Sequence, residues 1–334
     1  MTLPTRPDNP LLDRLPVALR DSRLLGLLAG LVLVLLAASL IGALLRRRAA
    51  TPKAHATVEN LIARTNSWWI MATLFLTTGL LGLGATLCLF ALLSFFALRE
   101  MITLAPTRRA DHHTLFWIFF VITPLHYWLL YDRWYGLFAI FIPVYGFLWI
   151  CIRSTLTGDY KHYSERVARI FLALMICTYC ISHAPALLTL DIPHFAGQNV
   201  KLLFFLAIVV QSSDVLQYVW GKLLGRHKIA PHISPNKTWE GFIGGSLSAA
   251  LLSLALAWMT PFNLWQTALI AYALTLAGFA GGIVMSAIKR DAGVKDYSQL
   301  IPGHGGVMDR IDSLCFAAPL FFHITRYYFT GPAA

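Results

Sequence analysis

Apolar residues run along this chain in blocks too long for the strands or amphipathic helices of a water-soluble domain. A bilayer span needs about 20 apolar residues, and by that ruler the sequence predicts helices near 24–45, 68–98, 115–131, 134–152, 167–190, 200–219, 242–260, 265–288 and 313–329. The first block is too long for the apolar core of a signal peptide and runs into Arg46, Arg47 and Arg48, so it reads as a retained helix. The 68–98 block is too long for one simple crossing and carries Gly79, Gly82 and Gly84 in its middle, which makes it tilted, broken or re-entrant. The expected fold class is an all-α, polytopic integral membrane protein with eight or nine transmembrane helices. The sequence divides into an N-terminal anchor helix with a polar linker (1–66) and a polytopic catalytic domain (67–334).

Composition sharpens this picture. Hydrophobic residues make up 57% of the 334 and charged residues only 13%, about half the charged share of soluble domains, which excludes a soluble enzyme. The net charge of +11 fits basic cytoplasmic loops and anionic lipid rather than nucleic acid. Basic residues in 220–241 and 288–312 place both loops in the cytoplasm, and counting back puts the loops of Arg153 and Arg99 there too. The same count puts 46–66, equally basic, outside if 68–98 crosses once. The five cysteines all lie in apolar stretches and imply no disulfide framework. Aromatic clusters at segment ends read as interfacial belts, and Glu100, at another segment end, as an interfacial charge.

With 16 acids in the whole chain, their placement is informative. Asp291, Asp296, Asp309 and Asp312 crowd one Gly-rich loop that also holds Lys289, Arg290, Lys295, His304 and Arg310. Converging carboxylates repel unless a cation joins them, and hard oxygen ligands suit Mg²⁺ and polyphosphate. The bases would then clamp phosphate oxygens. The bland alternative is a juxtamembrane loop of salt bridges. A second region supplies Asp214, an acid inside an apolar segment and so a functional-site candidate, with pairing to Lys222 as its structural alternative. It continues into Ser234-Pro-Asn-Lys237-Thr238-Trp-Glu240-Gly241, where phosphate binding competes with ordinary helix capping by Ser234 or Thr238.

The pattern S-x-hydrophobic-K-R-x4-K-D-x-small-x2-hydrophobic-P-x-H-G-G-hydrophobic-x-D-R-x-D, unbroken from Ser286 to Asp312, resembles the phosphatidate cytidylyltransferase (CDP-diacylglycerol synthase) family. Asp214, Tyr218, Gly221, Lys222 and Gly225 are similar to its D-x3-Y-x2-G-[RK]-x2-G element, and 234–241 to its S-P-x-K-T-x-E-G element. The signature region is 200–316. One departure is Gln217, where a small residue is expected and a longer side chain could crowd the cavity. The resemblance implies that CTP and phosphatidate from the inner leaflet give CDP-diacylglycerol and pyrophosphate at the cytoplasmic face of a cell membrane, in a bacterium the inner one. It implies Mg²⁺, with room for a second divalent or a monovalent ion, held by Asp296 and Asp309 with Asp214 and Asp312 as third ligand or supporting shell. Phosphate contacts fall to Lys237, Lys289, Arg290, Lys295, Arg310 and His304, with Ser234, Thr238 and Lys222 toward the nucleotide. A homodimer stays open. The rival readings are another CTP-dependent membrane lipid transferase, a lipid-alcohol kinase similar to the dolichol kinases, and a cation-coupled transporter using Asp214.

Overall fold

The computed structural model describes residues 21–48, 51–104 and 107–330. It is an array of ten helices with one two-stranded hairpin: α1 (Ser22–Arg48), α2 (Pro52–Leu81), α3 (Leu83–Thr103), α4 (Asp111–Tyr131), α5 (Tyr135–Thr155), α6 (Tyr163–Thr189), α7 (Val200–Leu223), β1 (Lys228–Ala230), β2 (Ser234–Thr238), α8 (Trp239–Ala255), α9 (Leu264–Asp291) and α10 (Met308–Phe329). Seven of these, α1, α3 to α7 and α9, are long and apolar enough to cross a bilayer. The other three diverge for physical reasons: α2 begins in polar sequence, α8 has 17 residues, and α10 opens with Asp309, Arg310 and Asp312. The short hairpin is the element the apolar pattern did not predict.

The 68–98 block is broken, at Gly82. Its φ of 97° and ψ of −166° lie where a side chain is strained, so α2 ends and α3 turns back. The Thr86 hydroxyl closes the turn by donating to the Thr78 and Gly82 carbonyls, both at 2.9 Å. The turn sits at one end of the molecule: a Cβ on Gly79 would lie 2.9 Å from Phe204 near the start of α7. At the other end, Ser67 of α2 donates to the Pro302 carbonyl at 2.9 Å and Glu100 of α3 reaches Val307 and Met308. The block therefore runs out and back, and Arg46, Arg47, Arg48, Lys53 and Arg64 share one end with the 288–312 loop. The predicted boundary at residue 66 falls inside α2, which is helical from Pro52.

Successive helices alternate in direction. The far end is marked by Lys201, whose ammonium donates to Asp21 at 2.5 Å and stands over Trp258, and by Arg326, stacked 3.6 Å over the Tyr135 ring. Among the described residues the far end holds Arg23, Arg133, Lys201 and Arg326, and the other lysines and arginines gather toward the loop end. The core is deepest around α6, where 72% of the most apolar window is buried, against 11% for α1 at the rim. The fully buried Phe205 of α7 packs against Phe321 of α10, Phe204 against Phe75 of α2, and Phe322 against Phe138 of α5 and His183 of α6.

Candidate functional site

Helices α7, α8, α9 and α10 meet through glycine. A Cβ on Gly245 of α8 would lie 2.5 Å from the Gln217 backbone of α7, and one on Gly241 2.7 Å from the Gln217 carbonyl, so these helices touch backbone to backbone. Gln217 consequently faces α8 and donates to Ser213 Oγ at 2.9 Å, so the departure from the family pattern lands on a glycine-lined helix crossing. A Cβ on Gly281 of α9 would lie 2.8 Å from the Asp312 carbonyl of α10. On Gly282 it would meet the Lys237 ammonium at 2.6 Å. That missing Cβ is the space into which Lys237 inserts from β2.

Lys237 stands 4.5 Å over the Phe279 ring and donates to the Phe279 carbonyl at 3.4 Å. Burial pushes its ammonium below the usual lysine range, opposed by the charges of Asp214 and Asp312. Asp214 of α7 faces Asp312 and Ser313 of α10, with Lys237 and Arg310 as its cations. Lys222, the alternative partner, instead lies exposed above the Tyr218 ring at 5.8 Å. Asp312 accepts from the Ser313 backbone N–H at 2.7 Å. Arg310 reaches toward the same acids, and its Nε is buried without a partner among the described residues.

Asp309 is held differently. Its Oδ1 accepts from the Lys289 ammonium at 2.7 Å, and its Oδ2 from the backbone N–H groups of Tyr297 at 2.9 Å and Gly306 at 3.0 Å. It is 8% exposed. Both oxygens are thus engaged by protein donors, and the carboxylate folds the 297–306 segment over the start of α10. Asp296 and Lys295 lie exposed on this segment, Asp296 beside Gly305. The carboxylates expected as one metal set divide into a loop pair, Asp296 and Asp309, and a deeper pair, Asp214 and Asp312. Among the described residues no three His, Cys, Asp or Glu side chains come close enough to hold a metal ion. The donor set nonetheless fits Mg²⁺ at the deeper pair, because Mg²⁺ is commonly held by one or two carboxylates with substrate phosphates and water completing its shell.

The remaining residues are placed as follows. Arg290 donates to the Ile233 and Val294 carbonyls at 3.3 and 3.0 Å, tying α9 to the hairpin and to the loop. Thr238 caps α8, its Oγ1 accepting from Gly241 N–H at 3.2 Å, so the capping reading holds for this residue. Ser234 pairs with Ala230 across the hairpin. His304 packs edge-on against Trp68 with its Nδ1 unpartnered among the described residues. Burial, and after it the Arg310 charge, push this imidazole below its ordinary range, so near neutral pH it is uncharged.

Glu100 overturns the expectation of an interfacial charge. It is 5% exposed, and its oxygens accept from the Ser298 hydroxyl at 2.6 Å and from Val307 and Met308 N–H at 2.9 and 2.8 Å. It staples both arms of the loop and satisfies the first N–H groups of α10, where the helix dipole favours an anion. Gly306 permits this approach, since a Cβ there would lie 2.5 Å from the carboxylate. The only signal in the sequence was an acid among scarce acids at the end of an apolar block. Arg64 and Asn60 press on Gly303 from α2, a contact that the sequence pattern does not announce.

The geometry is matched by similarity to known proteins. The model of the cytidylyltransferase family matches residues 62–328. The chain belongs to that family. This cytidylyltransferase is therefore a nucleotidyltransferase enzyme, which removes the transporter reading. It is 41% identical to YnbB of Escherichia coli (strain K12) over 265 residues, 79% of this chain and 87% of YnbB. It is 40% identical over 126 residues to the phosphatidate cytidylyltransferases of Staphylococcus saprophyticus and Staphylococcus aureus (strain COL), which is 37% of this chain and 48% of each of theirs. The chain thus matches about half the length of the staphylococcal enzymes. α1 lies outside the family match.

Proposed function

We propose that this enzyme transfers CMP from CTP to phosphatidate, giving CDP-diacylglycerol and pyrophosphate at the cytoplasmic membrane face. One observation carries the reading: Lys237, Lys289 and Arg310 converge on the Asp214/Asp312 pair at the loop end of a helical membrane array, where a triphosphate from water and an anionic headgroup from the leaflet can meet. The relatives named phosphatidate cytidylyltransferases point to the lipid. The gathering of basic residues at the loop end supports a cytoplasmic orientation by the positive-inside rule.

In this mechanism a phosphate oxygen of phosphatidate attacks the α-phosphorus of CTP. The new P–O bond forms as the α–β anhydride bond breaks and pyrophosphate leaves. The nucleophile is already anionic near pH 7, so no strong base is required and catalysis rests on positioning and charge neutralisation. Asp214 and Asp312 would hold Mg²⁺, which when bound screens the polyphosphate charge. Lys237, partly buried and with a single carbonyl to donate to among the described residues, faces the acids and is free to contact a transferring phosphate. Arg310 offers its unpartnered Nε. Lys289 and Asp309 keep the loop closed, Lys295 and Asp296 line its outer side, and His304 is buried against Trp68.

The test uses purified full chain with labelled CTP, phosphatidate and Mg²⁺, following CMP-labelled lipid and pyrophosphate. Wild type is expected to form CDP-diacylglycerol, Asp312→Asn and Lys237→Met to lose at least about 100-fold, and Lys295→Gln to lose much less. Absence of CDP-lipid from every phosphatidate tried, or full activity of Asp312→Asn, overturns the assignment. Offering a lipid alcohol in place of phosphatidate distinguishes the kinase reading, which requires phosphorylated alcohol as product.

A further inference from the structure

Between α1 and α2, away from the catalytic cluster, the structure has a groove of about 330 Å³. Its floor is apolar, formed by Ala38, Ala43 and Ile62, and it ends at a hydrogen bond from the Trp69 indole to Ser39 Oγ, 3.0 Å long. Gly42 lets the helices close at this depth, since a Cβ there would lie 3.1 Å from Ile62. Its mouth, at the loop end, carries Arg46, Arg47 and Asn66. Arg46 pairs with Glu59 at 2.7 Å, a pair with both side chains 40% or more exposed; such a pair is worth little and exchanges readily. Arg47 makes no ion pair among the described residues. Outward faces of α1 expose Leu33, Val34, Leu40 and Ile41, so the groove opens onto whatever surrounds the rim helix, which for a membrane array is lipid.

We propose that this groove binds one anionic glycerophospholipid, the phosphate against Arg46 and Arg47 and an acyl chain along the Ala38, Ala43 and Ile62 floor. A phosphate monoester or diester suits two guanidinium groups, and an apolar trough beneath them suits a chain rather than a soluble anion. The groove's α1 wall, with both arginines, precedes the family match, while Ile62, Thr65 and Asn66 of α2 lie just within it, and none of the groove residues belongs to the catalytic cluster. The groove is coupled to that cluster by one turn of α2: Thr65 and Asn66 face the groove, while Arg64 and Ser67 touch Gly303 and Pro302 of the catalytic loop. Occupancy would fix α2 against the loop.

The experiment is independent of catalysis. Delipidated full chain is titrated with dioleoylphosphatidylglycerol and with dioleoylphosphatidylcholine, and bound lipid is read by native mass spectrometry. Wild type is expected to bind one phosphatidylglycerol in preference to phosphatidylcholine. Arg46→Gln and Arg47→Gln should each weaken it about 5-fold, and Ala43→Phe, which fills the trough from an exposed position, should weaken it with both charges intact. Asp312→Asn should bind as wild type does. Equal binding of the two lipids, unchanged binding by the arginine and Ala43 variants, or loss in Asp312→Asn overturns the proposal. So does displacement of the lipid by millimolar inorganic phosphate, or a lipid-free dimer in which Ala43 is protected by a second copy.

Discussion

Glu100 shows how one side chain governs a site that it does not enter. Its carboxylate takes a hydroxyl and two backbone donors from the loop that carries Asp296, His304 and Asp309, and each buried donor left unmet costs about 1–3 kcal/mol. Glu100→Ala should therefore free the 297–308 segment, seen as faster amide exchange there, and lower kcat about 100-fold by misplacing the reacting groups. Glu100→Gln, which keeps an acceptor but adds an N–H facing other donors, should fall between. Unchanged exchange in Glu100→Ala would remove the stapling role. At this scale the sequence was informative about composition and silent about partners. Scarce acids singled out the loop and Asp214, but division of labour between Asp309, engaged by Lys289 and two N–H groups, and the Asp214/Asp312 pair depends on which backbone donors the fold delivers. No spacing rule reports that. Thr238 likewise reads as cap or ligand until Gly241 is seen beneath it.

At the scale of elements, glycine sets the geometry twice in different ways. Gly82 is needed for its φ and Gly245 for its missing Cβ. Gly245→Leu would force α7 and α8 apart at Gln217, and overpacking of this kind costs about 1–3 kcal/mol or more. Since Asp214 and Lys237 sit on either side of that crossing, the variant is expected to lose most activity while retaining membrane insertion; normal activity with a normal melting temperature would contradict the backbone contact. The helices themselves were legible because apolar length is a robust signal, and the irregularity of 68–98 was legible as a tilt, a break or a re-entry. Its outcome was not. Whether a glycine cluster bends a helix or reverses it depends on what its flanks pack against, here Phe204 at one end and Pro302 at the other. The β1–β2 hairpin was hidden for a related reason: its residues are polar, and its purpose is to carry Lys237 inward.

For the whole molecule, reversal at Gly82 removes the conflict in charge placement. The basic run after α1 joins the other basic loops at one end, and the far end keeps four described basic residues, of which Lys201 is committed to Asp21 and Arg326 to Tyr135. With orientation set by the basic loops, Asn236→Cys is expected to react with a membrane-impermeant maleimide only from the cytoplasmic side, and Asn263→Cys only from the opposite side. Labelling of both from one side would refute the alternating path.

The staple from α3 also bears on exchanging parts between relatives. The 200–316 signature looks self-contained, since all the acids and bases of the transfer step lie within it. Yet the loop is fastened by Glu100 and Ser67, more than 190 residues earlier in the chain. A chimera that transplants 200–316 alone into a host lacking an acid at the Glu100 position should insert and fold its helices but turn over poorly, and adding α2 and α3 from this chain should restore it. What travels as a functional unit is thus a discontinuous module, two early helices together with four late ones, and a recombination point at residue 200 divides it.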